Sequence, residues 1–154
     1  MEHLDGLAMR CGAATWLPRA ALEAWVSGDT KRRRSILVVD DEAATRRVFA
    51  TFLRRRGFDV LEAEHGQGAL VMAQRAEPDA IVLDIQMPVL DGVTTAELLK
   101  LDASTAYIPL IAVTGHPFEG GEEEARRLGF AAYLPKPLAP GELARAIAEL
   151  LKAQ

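Results

Sequence analysis

The sequence predicts an α/β fold, a five-stranded doubly wound parallel sheet with helices on both faces. Three observations carry that expectation. Short runs such as Ile36-Leu37-Val38-Val39, Ala80-Ile81-Val82-Leu83 and Ala131-Ala132-Tyr133-Leu134 are apolar at every position, the pattern of strands covered on both faces. Between such runs the apolar residues recur at helical spacing, so strand and helix patterns alternate from Ser35 to Lys152. Polar residues come after the three runs, as Asp40-Asp41, Asp84 and, past Pro135, Lys136-Pro137. They therefore fall at strand carboxyl ends, where open parallel sheets place their ligand sites.

Each element has its own signal. Ser35–Asp40 is apolar and β-branched. Glu42–Arg56 carries Val48, Phe49, Phe52 and Leu53 at helical spacing and stops at Gly57, a good residue just past a helix end. Its final Arg54-Arg55-Arg56 reads as a solvated last turn that complements the helix dipole rather than as a phosphate-binding patch. Phe58–Ala63 is a strand, and Gly66–Ala76 a helix with Ala69, Leu70 and Ala73 inward. Pro78 breaks the chain before the strand Ala80–Asp84. Val93–Leu101 is helical and Ile108–Thr114 a strand. Glu122–Leu128 is a short helix ending at Gly129, and Phe118-Glu119-Gly120-Gly121 gives it a weak start, since glycine costs about 1 kcal/mol relative to alanine in a helix. Ala131–Leu134 is the last strand. Gly141–Lys152 closes the order with Leu143, Ile147, Leu150 and Leu151 on its apolar stripe. Crossovers between parallel strands of one sheet are right-handed by the general rule.

The 154 residues suit one domain with a real core plus a modest extension. Residues 1–34 form the extension, expected to be flexible, and 35–154 the domain. Within the extension, Pro18–Val26 suits a short helix with Leu17, Ala21, Ala24 and Trp25 on one face, marginal in water unless it docks. A net charge of −4 gives no global attraction to nucleic acid or anionic lipid. The single Cys11 excludes an intrachain disulfide and fits a reducing compartment. No stretch approaches the roughly 20 apolar residues of a membrane span, and the start of the chain lacks a secretory pattern. The expected location is cytoplasmic, with no membrane partner.

The strand ends hold the chemistry. Asp40, Asp41 and Asp84, if they converge, repel one another unless protonation or a cation relieves them. Mg²⁺ suits such a set, taking one or two carboxylates, a carbonyl and waters and leaving room for a phosphate oxygen. A carboxylate is also a nucleophile toward phosphorus, and phosphoryl transfer needs mainly positioning and charge neutralisation. Lys136 offers a point charge and Thr114 a hydroxyl at the end of a fourth strand.

The pieces "ILVVDDE", "DAIVLDIQMPVLDG", "PLIAVTG" and "YLPKP" resemble the receiver domain of two-component response regulators, from Ser35 to Lys152. The spacing matches as well, with Thr114 thirty and Lys136 fifty-two residues beyond Asp84. The resemblance implies the flavodoxin-like receiver fold. It casts Asp84 as phosphoacceptor, and Asp40, Asp41, Asp84 and the Gln86 backbone carbonyl as Mg²⁺ ligands. Thr114 and Tyr133 become the switch residues, Lys136 the lysine that meets the phosphoryl group, and Lys136–Pro137 a cis peptide. Gln86 and His116, two residues beyond Asp84 and Thr114, would flank the phosphoryl group and set its lifetime.

The phosphodonor would be a histidine kinase or a histidine phosphotransfer protein. Phosphorylation would alter the surface of the fourth helix, fifth strand and fifth helix, which a downstream protein target would read. The sequence carries no helix-turn-helix, kinase or cyclase pattern. The expectation is therefore a stand-alone regulator without direct DNA binding, and no enzyme beyond its own phosphorylation and dephosphorylation. A degenerate receiver acting as a scaffold is one alternative. Another is an aspartate-nucleophile phosphatase of the haloacid-dehalogenase type, which needs a second Asp where Gln86 stands. A flavodoxin-like cofactor binder would need a phosphate loop where Asp40-Asp41-Glu42 stands.

Overall fold

The computed structural model describes residues 32–152. The expected helix over Pro18–Val26, with nearly all of the extension, lies outside the described residues. The element order is β1 (Ser35–Val39), α1 (Ala43–Arg55), β2 (Asp59–Ala63), α2 (Gly66–Ala76), β3 (Ala80–Asp84), α3 (Gly92–Leu101), β4 (Leu110–Thr114), α4 (Gly121–Arg127), β5 (Ala132–Pro135) and α5 (Pro140–Lys152). The strands form one sheet in the order β2-β1-β3-β4-β5, and all four pairings are parallel.

Successive strand side chains point to opposite faces, and the core divides accordingly. Leu37, Val39, Ile81, Leu83, Leu110 and Ala112 face one side, where Ala69 and Ala73 of α2 and Ala96 and Leu99 of α3 cover them. Ile36, Val38, Val82, Ile111 and Val113 face the other, against Phe49 and Leu53 of α1 and Leu143, Ile147 and Leu151 of α5. The central strands β3 and β4 are buried at every position, which is why their sequences run apolar without alternation. The edge strands β2 and β5 are only partly covered.

Local chemistry sets the helix ends. At the end of α1, the Gly57 N–H bonds the Arg54 carbonyl and the Phe58 N–H bonds the Leu53 carbonyl. That double bond pattern needs a left-handed residue between, and Gly57 takes φ +92. Gly129 ends α4 with the same bonds, to Arg126 and from Phe130 to Ala125. Asp91 caps α3 by accepting from the Thr94 N–H at 2.8 Å. His65 caps α2 through Nδ1, which accepts from the Gly68 N–H at 3.0 Å.

Several boundaries differ from the sequence expectation by one or two residues. The strand expected from Ile108 begins at Leu110, because Pro109 has no amide for the ladder; its carbonyl still accepts from Ile81. The last helix starts at Pro140 rather than Gly141, as proline's fixed φ suits a first helical position. Val48, expected on the inward face of α1, is 54% exposed, while Phe49 and Leu53 take the core. Helix α4 is short, at seven residues. Among the described residues no helix is long and apolar enough to cross a membrane.

One contact ties the helical layer to the sheet's functional end. Helix α3 begins directly on the end of β3, with the Gly92 N–H bonding the Ile85 carbonyl at 2.9 Å. A Cβ at Gly92 would stand 2.5 Å from the Asp84 carbonyl oxygen and 2.6 Å from the Ile85 Cα. Both are backbone atoms, so the helix would have to move. Gly92→Ala is expected to cost about 1–3 kcal/mol, the range for overpacking. Gly115→Ala, whose Cβ meets nothing within 4 Å, is expected to be near neutral; thermal unfolding of the two variants side by side checks the difference.

Candidate functional site

Register brings the strand ends together. Val39 pairs with Leu83, so Asp40 emerges beside Asp84. Asp84 pairs with Val113, which places Thr114 one step beyond. Thr114 pairs with Pro135, and Lys136 follows, its N–H bonding the Thr114 carbonyl at 2.8 Å. The chain leaves β1 toward β2 on one side and returns to β3 on the other. The crevice between β1 and β3 is therefore the switch point of the sheet, where ligands of such folds bind.

Three carboxylates meet there. Asp40, Asp41 and Asp84 each offer an oxygen within 4.8 Å of the others. Consecutive strand residues would point apart, but β1 has ended at Val39 and the chain bends at Asp41, so both side chains reach one side. Asp40 and Asp84 are buried, and Asp41 is exposed. The Asp40 Oδ1 accepts from the Glu42 N–H at 2.9 Å, and the Asp84 Oδ1 from the Gln86 N–H at 3.2 Å. The Lys136 Nζ sits 3.3 Å from Asp40 Oδ2 and 3.6 Å from Asp84 Oδ2. The Lys136–Pro137 peptide is cis.

The electrostatics are those of an incompletely neutralised site. Burial, then the Asp40 charge, raise the Asp84 carboxyl from 3.8 to about 6, against the opposing pull of Lys136 and the Gln86 amide, with Asp41 adding to the rise. Burial disfavours the charged form and a like charge nearby does the same. One ammonium against three carboxylates leaves the cluster short of positive charge, and oxygen ligands this close suit a hard divalent cation.

Around this centre lie the remaining residues singled out by sequence. The Thr114 side chain is fully buried. Its Oγ1 donates to the His116 carbonyl at 2.9 Å and accepts from the His116 N–H at 3.1 Å. The side chains of Gln86 and His116 meet, with Oε1 and Nδ1 2.8 Å apart, bridging the loops that follow β3 and β4. Tyr133 is half-buried, and its ring lies 5.5 Å from that of Phe118. Its hydroxyl is enclosed and has no hydrogen-bond partner.

Two features had escaped the sequence reading. Phe118 stacks on Phe130 and lies tilted against Tyr133, contacts that its place in a weak helix start does not announce. Arg46, an unremarked charge on α1, is 6% exposed, and its Nη1 donates to the Asp40 carbonyl at 2.9 Å. Its place one turn after Asp40-Asp41, on the same side of α1 as Phe49 and Leu53 by helical spacing, was the available signal.

Comparison with known proteins bears on the family and the fold. The family model for the response regulator receiver domain matches residues 36–148. The polar-differentiation response regulator DivK of Brucella anthropi is 33% identical over 105 residues, 68% of this chain and 85% of that protein. The chemotaxis protein CheY4 of Vibrio cholerae superposes with a TM-score of 0.71 at 26% identity, over 76% of this chain and 98% of its own. The receiver domain of the sensor histidine kinase PA1611 from Pseudomonas aeruginosa, solved with magnesium coordinated in its active site cleft, gives a TM-score of 0.71 at 30% identity. It covers 78% of this chain and 98% of that one. With the family model matching residues 36–148 and a relative 33% identical over 68% of the chain, the chain belongs to the response regulator receiver domain family.

Proposed function

We propose that residues 35–154 act as a single-domain response regulator that takes a phosphoryl group onto Asp84 in the presence of Mg²⁺. The observation that carries this reading is the meeting of Asp40, Asp41 and Asp84 with Lys136 at the β1/β3 crevice. Asp40, Asp41, Asp84 and the Gln86 backbone carbonyl would hold the Mg²⁺, which supplies positive charge to the phosphoryl oxygens. A carboxylate oxygen of Asp84 attacks the phosphorus of a phosphohistidine on a kinase or phosphotransfer protein. The P–O bond forms, the P–N bond breaks, and the electron pair leaves with the imidazole. Lys136 neutralises charge on the transferred group.

The output follows from the new acceptor oxygens. In this reading the Thr114 hydroxyl exchanges its bond to the His116 carbonyl for one to the phosphoryl group. Tyr133 then turns into the space behind Thr114, and the face made by α4, β5 and α5 changes for a downstream protein. Gln86 and His116 set how readily water reaches the phosphorus. Gln86 also favours an acceptor over a turnover phosphatase, since an amide is no general acid. The chain catalyses only its own phosphorylation and dephosphorylation, and DNA binding is not part of this reading.

Incubation with a phosphorylated histidine kinase or phosphotransfer protein and Mg²⁺ is expected to label the wild-type chain. Asp84→Asn or chelation of the metal should abolish the label, and label retained by Asp84→Asn would move the acceptor elsewhere. Once labelled, Gln86→Ala and His116→Ala should change the dephosphorylation half-life, and their double variant should differ from the sum because the two side chains touch. Equal half-lives in all four proteins would exclude them as tuners.

Ionisation of Asp84 gives a third test. Its folded value of about 6 lies above the ordinary 3.8, so the folded metal-free chain binds the proton more tightly than the unfolded one. Stability of the metal-free chain should therefore fall as pH rises from about 4 to about 6, and Asp84→Asn should flatten that slope. Protons compete with the cation, so Mg²⁺ affinity should weaken by up to about tenfold per pH unit below about 6. Calorimetric titration at pH 5 and pH 7 measures it.

A further inference from the structure

We infer that Arg46 is a positioning residue for the cation site, acting through the backbone of Asp40; this rests on the Mg²⁺ reading above. Asp40 follows the last residue of β1. Its N–H still bonds the Ala63 carbonyl at 3.2 Å, so its amide continues the β2 ladder. The Arg46 Nη1 holds its carbonyl at 2.9 Å in a buried hydrogen bond.

That peptide matters because Asp40 and Asp41 are consecutive. In a continuing strand their side chains would diverge to opposite faces. They share one site because the peptide between them turns, and the guanidinium holds the oxygen of that peptide. The same guanidinium is tied down from behind. Its Nε lies 3.3 Å from Glu62 Oε1 and its Nη2 3.5 Å from Glu64 Oε1, ion pairs in which the buried Nε makes no hydrogen bond. Glu62 is engaged in turn by Arg54 at 3.1 Å. Helix α1, the end of β2 and the Asp40–Asp41 turn are thus joined by one planar group that makes one hydrogen bond and two ion pairs. Lysine, with a single compact ammonium, does not reproduce that fork.

A buried guanidinium is an expensive way to hold a helix to a sheet. Its desolvation is costly, and an apolar side chain of similar volume often stabilises as well or better. A well-packed Met at this position would cover the same apolar stem. What Met does not supply is a donor for the Asp40 carbonyl. Arg46 therefore acts on the direction of the two carboxylates, as outer partners of metal ligands do.

Titration of the full chain with Mg²⁺, followed by the amide NMR shifts of Asp40, Asp41 and Asp84, tests the role independently of phosphorylation. Arg46→Met is expected to weaken Mg²⁺ binding by about tenfold or more, with Arg46→Lys recovering part of the loss. Arg54→Met removes the outer arginine from Glu62 and leaves the Asp40 carbonyl bond in place. It should bind Mg²⁺ within about twofold of wild type, even where its unfolding temperature falls as far as that of Arg46→Met. Arg46→Met binding within about twofold of wild type would overturn the inference. Should Arg46→Met not fold, Arg46→Lys and Glu64→Gln decide, since both loosen the fork and should lose affinity; unchanged affinity in both overturns it. A wild-type chain that binds no Mg²⁺ would instead sink the Mg²⁺ reading, and this inference with it.

Discussion

Repulsion among three carboxylates at the carboxyl ends of the central strands is the constraint around which this molecule is organised. Asp40, Asp41 and Asp84 come within 4.8 Å of one another, two of them buried. Such a cluster opposes folding unless something outside it holds the chain. Lys136 offsets part of the charge, and the proton that Asp84 retains up to about pH 6 offsets more. The rest must come from the scaffold. The two-sided core supplies it, because Ile36, Leu37, Ile81, Leu83, Leu110 and Ile111 are fully buried directly behind the site. A charged cluster backed by dense apolar packing is a common arrangement where charge is kept for function.

The scaffold also sets direction. Pairing steps forward by one residue from β1 to β3, β4 and β5, so polar residues distant in sequence arrive side by side. Helix α3 rests on the Asp84 carbonyl through a residue with no Cβ, which fixes the loop carrying Gln86. On the opposite side, the Arg46 guanidinium reaches the carbonyl of Asp40. Asp40 thus has its carbonyl held from α1, and Asp84 has α3 packed closely against its own. The carboxylates face the crevice, where Lys136 also reaches. In the functional reading, that crevice is where cation and phosphoryl group enter.

Much of the site was legible because strand ends announce themselves. Asp40, Asp84, Thr114 and Lys136 each follow or end an apolar run, and a parallel sheet gathers such residues at one end. Gln86 and His116 were legible as neighbours of those positions, but not as partners of each other at 2.8 Å. That contact depends on two loops whose approach no local pattern encodes. Phe118 and Arg46 were missed for a related reason. Charge at a helical position ordinarily means solvent, and an aromatic in a glycine-rich loop ordinarily means little. Only the packing shows Arg46 buried and the Phe118 ring tilted against Tyr133.

The sequence by itself determined the element order, the two-sided burial of the central strands and the identity of the residues at their ends. Those properties are written in short-range patterns: alternation of period, runs of β-branched residues, and glycine past a helix end. Tertiary structure alone decided the register that aligns the strand ends and the turn that brings Asp40 and Asp41 to one side. It also decided the grip of Arg46 on the peptide between them. The reason is physical. Periodicity follows from the geometry of one segment, whereas register and the burial of a charge depend on what a distant segment places opposite it.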